Sequence, residues 1–343
     1  MLAKKVNTNL KLRPNLEITF NMQEQPLFIA TLEPISEKVQ LVALVNPTDK
    51  SALPHTHLYA MAENKTPILL VTGNAVFTGI GVSAKKYVYF AGYNGHVITN
   101  CPYFEFEYPS RDDLICYEPN SSSKFSMGKV ANTDITLAIG FESSNSVLFC
   151  TKDGSVLDYA DSKLRRQLAI SDDPVSFCYD DMENVYVGTE EGRVWLIDIE
   201  GALELPMPET GIPRAVITGM TIAPSGDLYA VSRNGFIAKK PTNGDFSIMK
   251  APIIHYNGVA FANGIMYVSA REGLFAAKEL DGEIVLIPLR DTFNPLSLLS
   301  NRNELYLTSA TPRSMPYFVK AIPGSNIDQL DACYTMNLFY EVN

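Results

Sequence analysis

Two histidines separated by one residue, His55 and His57, come closest to a metal-binding pair in this chain. On a strand they would share a face and could hold a metal if a third ligand joined them. The other histidines, His96 and His255, lie in distant parts of the sequence, and Pro54 just before the pair reads as surface loop. No Gly-x-Ser-x-Gly, Cys-x-x-Cys, His-Glu-x-x-His or phosphate-cradling glycine loop occurs. Cys101, Cys116, Cys150, Cys178 and Cys333 are odd in number and never closely paired. Cys150 and Cys178 sit inside apolar runs, where a thiol behaves as a small hydrophobe. A reducing cytoplasmic home, with no cofactor, is the expectation.

The totals narrow the class further. The 343 residues are 46% hydrophobic and 19% charged, a globular balance. The formal net charge of −10 argues against nucleic acid or an anionic membrane as partner, because phosphate binding needs clustered Lys and Arg. The opening MLAKKVNTNLKLRP has no apolar core of the secretory kind, so residues 1–14 read as a solvated arm. No apolar run approaches the ~20 residues of a spanning helix.

The elements that must position any chemistry are short strands between turns. Residues 220–249, MTIAPSGDLYAVSRNGFIAKKPTNGDFSIM, hold four runs of β-formers separated by PSG, RNG and TNGD. Asn234-Gly235 is a strong hairpin signal, because both residues tolerate positive φ. The same order recurs in residues 175–205, 259–287, 136–159 and 296–320, and again around Tyr87–Ile98. The glycine after the second strand falls at Gly95, Gly154, Gly192, Gly235 and Gly273, spacings of 59, 38, 43 and 38. An aromatic or leucine stands six residues before each: Tyr89, Leu148, Tyr186, Tyr229 and Tyr267.

A period near 40 with four strands per unit predicts an all-β β-propeller of antiparallel sheets. Stacked radially, each sheet covers its neighbour's apolar face. Residues 14–75 hold enough strand for another unit, so seven blades are expected, with six as the alternative. The long first spacing places an insertion at 101–128, between blades. The C-terminal TMNLFYEV, or LEITF at 16–20, is expected to complete a blade built from both termini and so close the ring. One domain spans 1–343.

The stretches APSGDLYAVSRNGFI and DDMENVYVGTEEGRVWLIDIEG resemble the repeats of NHL, YVTN and gluconolactonase-like propellers, over roughly residues 134–320. WD-type punctuation is missing, since Trp195, the only tryptophan, is followed by leucine. The lactonase-like resemblance implies a calcium-dependent hydrolase with oxygen ligands in the central channel. Asn257, Asp173 and Asp291 are its candidate ligands, with Asp172 and Asn294 beside them. Gly219 and Pro295 interrupt the matching positions of other repeats.

Against that enzyme stands a binding module without catalysis. In a propeller, turns between second and third strands share one rim with the connections between blades. That rim offers Tyr93, His96, Glu190, Glu191, Arg233, Arg271 and, in the long stretch SATPRSMP, Arg313. Tyr and Arg are enriched among interface anchors. The aromatic insertion PYFEFEYPSRDD adds Tyr103 and Phe106, which either pack on the flank or meet a partner. The sequence therefore points first to a protein-binding propeller whose partner is another protein. An immunity or inhibitor role against a toxin or enzyme fits a compact acidic binder, as does a subunit role in an assembly. The metal-dependent hydrolase is the alternative.

Overall fold

The computed structural model describes residues 16–19, 28–36, 39–46, 55–62, 68–73, 75–109, 125–209, 215–252, 254–262, 264–280, 282–290, 295–301, 304–311, 314–322 and 332–339. Its strands fall into seven sheets, each beginning with four antiparallel strands hydrogen-bonded to their neighbours. Sheet 1 comprises Phe28–Ser36, Val39–Asn46, His55–Ala62 and Ile68–Gly73. Sheet 2 comprises Phe77–Val82, Val88–Gly92, His96–Thr99 and Ser126–Lys129, with Tyr108–Pro109 beyond. Sheet 3 is Ile135–Gly140, Val147–Thr151, Ser155–Ala160 and Lys163–Ala169. Sheet 4 is Pro174–Tyr179, Val185–Thr189, Val194–Ile197 and Ala202–Leu205. Sheet 5 is Ile217–Ile222, Leu228–Ser232, Ile237–Lys240 and Ser247–Met249. Sheet 6 is Tyr256–Ala262, Ile265–Ala270, Gly273–Leu280 and Glu283–Arg290. Sheet 7 is Pro295–Asn301, Glu304–Thr311, Ser314–Ile322 and Ala332–Phe339.

Side-chain alternation explains why these sheets stack. Successive residues of a strand point to opposite faces, and here both faces are buried. In the second strand of sheet 2, Val88 and Phe90 join the core shared with sheet 1. Tyr89 and Ala91 join the core shared with sheet 3. Sheet 3 repeats the division: Val147 and Phe149 face sheet 2, while Leu148 and Cys150 face sheet 4. In sheet 5, Leu228 and Ala230 face sheet 4, and Tyr229 and Val231 face sheet 6. Each interface from sheet 1 to sheet 6 thus holds its own cluster, and the second strands of sheets 2–6 read as continuous apolar runs.

The first strands of neighbouring sheets lie side by side. A Cβ on Gly140 of sheet 3 would collide with the backbone of Val82 in sheet 2, and one on Gly219 of sheet 5 would reach the Cα of Gly258 in sheet 6. Hydroxyls staple the stack near these contacts. Ser176 Oγ donates to Ile217 O at 2.5 Å, and Thr218 Oγ1 donates to Tyr256 O at 2.8 Å. Thr56 Oγ1 donates to Ala75 O at 2.7 Å and accepts from Phe77 N.

Three expectations about elements are corrected. Residues 101–128 do not lie between sheets: Ser126–Lys129 pairs antiparallel with His96–Thr99, so residues 100–125 connect the third and fourth strands of sheet 2. SATPRSMP is not a long loop, because Thr311 pairs with Ser314 and the strands run almost to the turn. His55 and His57 lie in a strand rather than a surface loop, and His57 Nδ1 is 2.9 Å from Thr72 Oγ1. The two termini do meet: Leu16–Thr19 pairs parallel with Ala332–Phe339 as a fifth strand of sheet 7.

Candidate partner-binding rim

The turns between second and third strands emerge on one face, together with the connections from each sheet to the next. A single hydrogen bond recurs there. The first residue after the second strand donates its backbone N–H to the carbonyl of the residue before the first strand of the same sheet. The pairs are Tyr93 with Val76, Lys152 with Asp134, Glu190 with Asp173, Arg233 with Val216 and Arg271 with His255, at 2.8–3.1 Å. The glycine of each turn then closes it with positive φ, as at Gly154 (82°) and Gly235 (102°). Turn and connection are therefore one unit, repeated through sheets 2–6.

A β-bulge lies immediately below that bond. Every first strand skips one residue in its register against the second strand, at Ala30, Thr78, Thr136, Val175, Thr218, Asn257 and Leu296. Bulges re-aim side chains and cluster beside functional surfaces. The sequence carries no single residue type for them, since threonine stands at three of the bulges and Ala, Val, Asn and Leu at the others.

The rim is charged and mixed in sign. Glu190 and Glu191 are exposed on sheet 4, with Asp172 and Asp173 half-buried in the connection that leads to it. Burial raises the Asp172 carboxyl above the ordinary range, against the opposing effects of Thr189, whose Oγ1 donates to Oδ2 at 3.1 Å, and of Arg193, whose Nε lies 3.5 Å away. Asp173 is also raised, chiefly by burial and then by Glu190, and its Oδ1 is buried without a hydrogen-bond partner. Sheet 5 presents exposed Arg233, and sheet 6 presents exposed His255 and Arg271 with Glu272 exposed beside them. Tyr93 is exposed on sheet 2.

Other expected site residues stand elsewhere. His96 is only 1% exposed, and its Nδ1 lies 3.0 Å from Tyr93 O, so it supports the turn from within and is not a contact residue. Arg313 and Asp291 lie outside the described residues. Tyr103 and Phe106 follow a third strand, which places them on the opposite face from the rim. Phe106 is half-buried against Gly128 and Phe104. Phe104 in turn packs on Tyr89, Phe149 and Tyr159, so this part of the insertion seals the flank between sheets 2 and 3. Of the proposed metal ligands, Asp173 precedes sheet 4 and Asn257 occupies the bulge of sheet 6, with sheet 5 between them. Among the described residues no group of three or more His, Cys, Asp or Glu could hold a metal ion.

No family model matches the chain, and no curated protein matches it in sequence. Solved structures do. The WD40 β-propeller domain of Doa1 aligns over 86% of this chain and 93% of its own, with TM-score 0.55 and 11% identity. U3-55K aligns over 83% and 89%, with TM-score 0.58 and 10% identity. The WD40 repeats of RRP9 align over 83% and 88%, with TM-score 0.58 and 10% identity. The chain has the β-propeller fold, a repeat architecture of antiparallel sheets. At such identities the likeness concerns fold alone. No helix among the described residues is long and apolar enough to cross a membrane.

Proposed function

We propose that this chain is a single-domain, seven-bladed β-propeller that acts without catalysis as a protein-interaction scaffold, engaging a partner across the rim formed by Tyr93, Glu190, Glu191, Arg233 and Arg271. One observation carries the reading. Five consecutive sheets fix their turns to their connections with the same backbone bond, so exposed Tyr, Arg and Glu side chains stand on rigid, evenly spaced supports. Pre-organised anchors lose little entropy on binding. The neighbouring solved propellers support an interaction role by analogy of fold. Support for a closed ring of seven comes from Phe28–Ser36, which lies beside Phe77–Val82 on one side and beside Glu304–Thr311 and Ser314–Ile322 on the other.

The rim's charges give the partner's chemistry: a surface with basic groups opposite Glu190 and Glu191 of sheet 4 and acidic groups opposite Arg233 and Arg271. A toxin or enzyme capped at its active face is one such partner. Free thiols at Cys101, Cys150 and Cys178 support a reducing, cytoplasmic setting.

The test is quantitative affinity capture from the native host with wild-type protein and the R233E/R271E variant. A partner enriched by wild type and reduced at least about tenfold by the double reversal is expected, since two interface arginines can contribute about 1–2 kcal/mol each. Equal capture by both proteins overturns the choice of rim.

A further inference from the structure

The three most exposed large hydrophobic side chains among the described residues are Ile199, Met182 and Tyr103, at 87%, 79% and 78%. All three lie on the face opposite the rim. Met182 tips the turn between the first and second strands of sheet 4, and Ile199 tips the turn between its third and fourth. Two inter-strand spacings separate these turns, or about 10 Å. Tyr103 stands on the segment after the third strand of sheet 2. Turn tips on the same face in sheet 5 are polar, Pro224-Ser225-Gly226 and Thr242-Asn243-Gly244.

These apolar tips cannot fold back. Asp180 Oδ1 accepts the N–H groups of Met182 and Asn184, both at 2.9 Å, and Asp198 Oδ1 accepts those of Glu200 at 2.7 Å and Gly201 at 3.0 Å. Sheet 3 ties the three positions into one plate. Ser143 and Ser144 donate to the Glu183 carboxylate beside Met182. Arg166 Nη1 donates to Ile199 O at 2.9 Å. Glu105 N donates to Ser162 O at 2.9 Å, and Lys163 pairs with Glu105 at 3.0 Å, which fixes the segment bearing Tyr103.

The surroundings are acidic. Glu107, Glu142, Asp161, Asp181 and Glu200 are exposed on this plate. Lys163 pairs with Glu105, and Arg165 and Arg166 with the buried Asp158, while Lys85 and Lys86, in the turn between the first and second strands of sheet 2, are exposed at the far end of the plate from Met182 and Ile199. Rigid apolar tips in a field of carboxylates repel anionic lipid and repel a second copy of the same face. They match a chain that combines apolar side chains with Lys or Arg.

We propose that the face of sheets 2–4 opposite the rim is a second docking surface, taking a basic, apolar segment of a partner protein around Met182, Ile199 and Tyr103. The scaffold is then two-sided, and this surface stands or falls independently of the rim.

The probe is a fluorescein-labelled amphipathic peptide of leucine and lysine, titrated into the full chain and read by anisotropy, with a leucine–glutamate peptide of the same pattern as control. Saturable binding of the lysine peptide is expected. The M182S/I199S variant should weaken it at least about tenfold, and D181K/E200K likewise, while thermal stability stays at the wild-type value. R233E/R271E should not weaken it. Equal affinity for wild type and M182S/I199S overturns the proposal, as does equal binding of the glutamate peptide. A concentration-dependent dimer dissolved by M182S/I199S also overturns it, because the patch then serves self-association.

Discussion

Asp173 shows how a single side chain reports on the rim. Its carboxyl sits above the ordinary value of 3.8 because burial and Glu190 both disfavour the charge. The unfolded chain therefore gives up this proton at a lower pH than the native state does. Between 3.8 and the raised value the native state holds more protons, so stability falls as pH rises through that window, and the cost persists at neutrality. The D173N variant should melt above wild type at pH 7, and the difference should close as pH falls below about 4. Melting curves of both proteins from about pH 3.5 to 7.5 check this; a difference that is independent of pH, or of opposite sign, refutes the assignment. This residue was legible as a polar rim position, but its unpartnered oxygen was not. His96 misled for a related reason: its place just after a turn suggested a surface contact, whereas the bond to Tyr93 O holds it inside. Asn257, a candidate ligand, is one of a series of bulge residues that includes Ala, Val, Leu and three Thr, so its residue type alone did not mark the bulge.

Punctuation by turns was the legible part of each element, and the strands of sheets 3–6 fall where Asn-Gly, Asp-Gly and Glu-Gly signals place them. Sequence reading failed where a connection broke the period. In sheet 2 the usual short turn before the fourth strand is replaced by residues 100–125, so Ser126–Lys129 looked like the end of an insertion. In sheet 7 the stretch SATPRSMP suggested a long loop, although Thr311 pairs with Ser314 in the ladder. Close approach of first strands was invisible, because it depends on which glycines face which neighbours. Gly140 is the sharpest case: an added methyl would meet the N, C and O of Val82, none of which can rotate away. The G140A variant should therefore lose about 1–3 kcal/mol, the range for overpacking a tight interior. Chemical denaturation measures this, and a loss below about 0.5 kcal/mol would show that the two first strands can separate freely.

At the scale of the molecule, the open question is what holds the first and last sheets together. Pairing of Leu16–Thr19 with Ala332–Phe339 joins the termini, but it adds a fifth strand outside four that already come from the C-terminal end. The contact between sheets 1 and 7 runs instead through Phe28–Ser36 against Glu304–Thr311 and Ser314–Ile322. Face-to-face burial scales with apolar area at about 25 cal/mol per Å², whereas a short edge strand contributes a few backbone bonds of about 0.5–1.5 kcal/mol each. On the proposed closed ring, face packing therefore stabilises the junction more than the edge pairing does. Deleting residues 1–20 should accordingly leave one cooperative unfolding transition, lowered by several degrees, with the rim intact. Ending the chain after residue 294 removes sheet 7, and on the proposed closed ring this variant should bind a hydrophobic dye and aggregate. Calorimetry with dye binding separates the cases. If the deletion of 1–20 abolishes the single transition, then exchange of the terminal strand, not stacking of faces, closes the propeller.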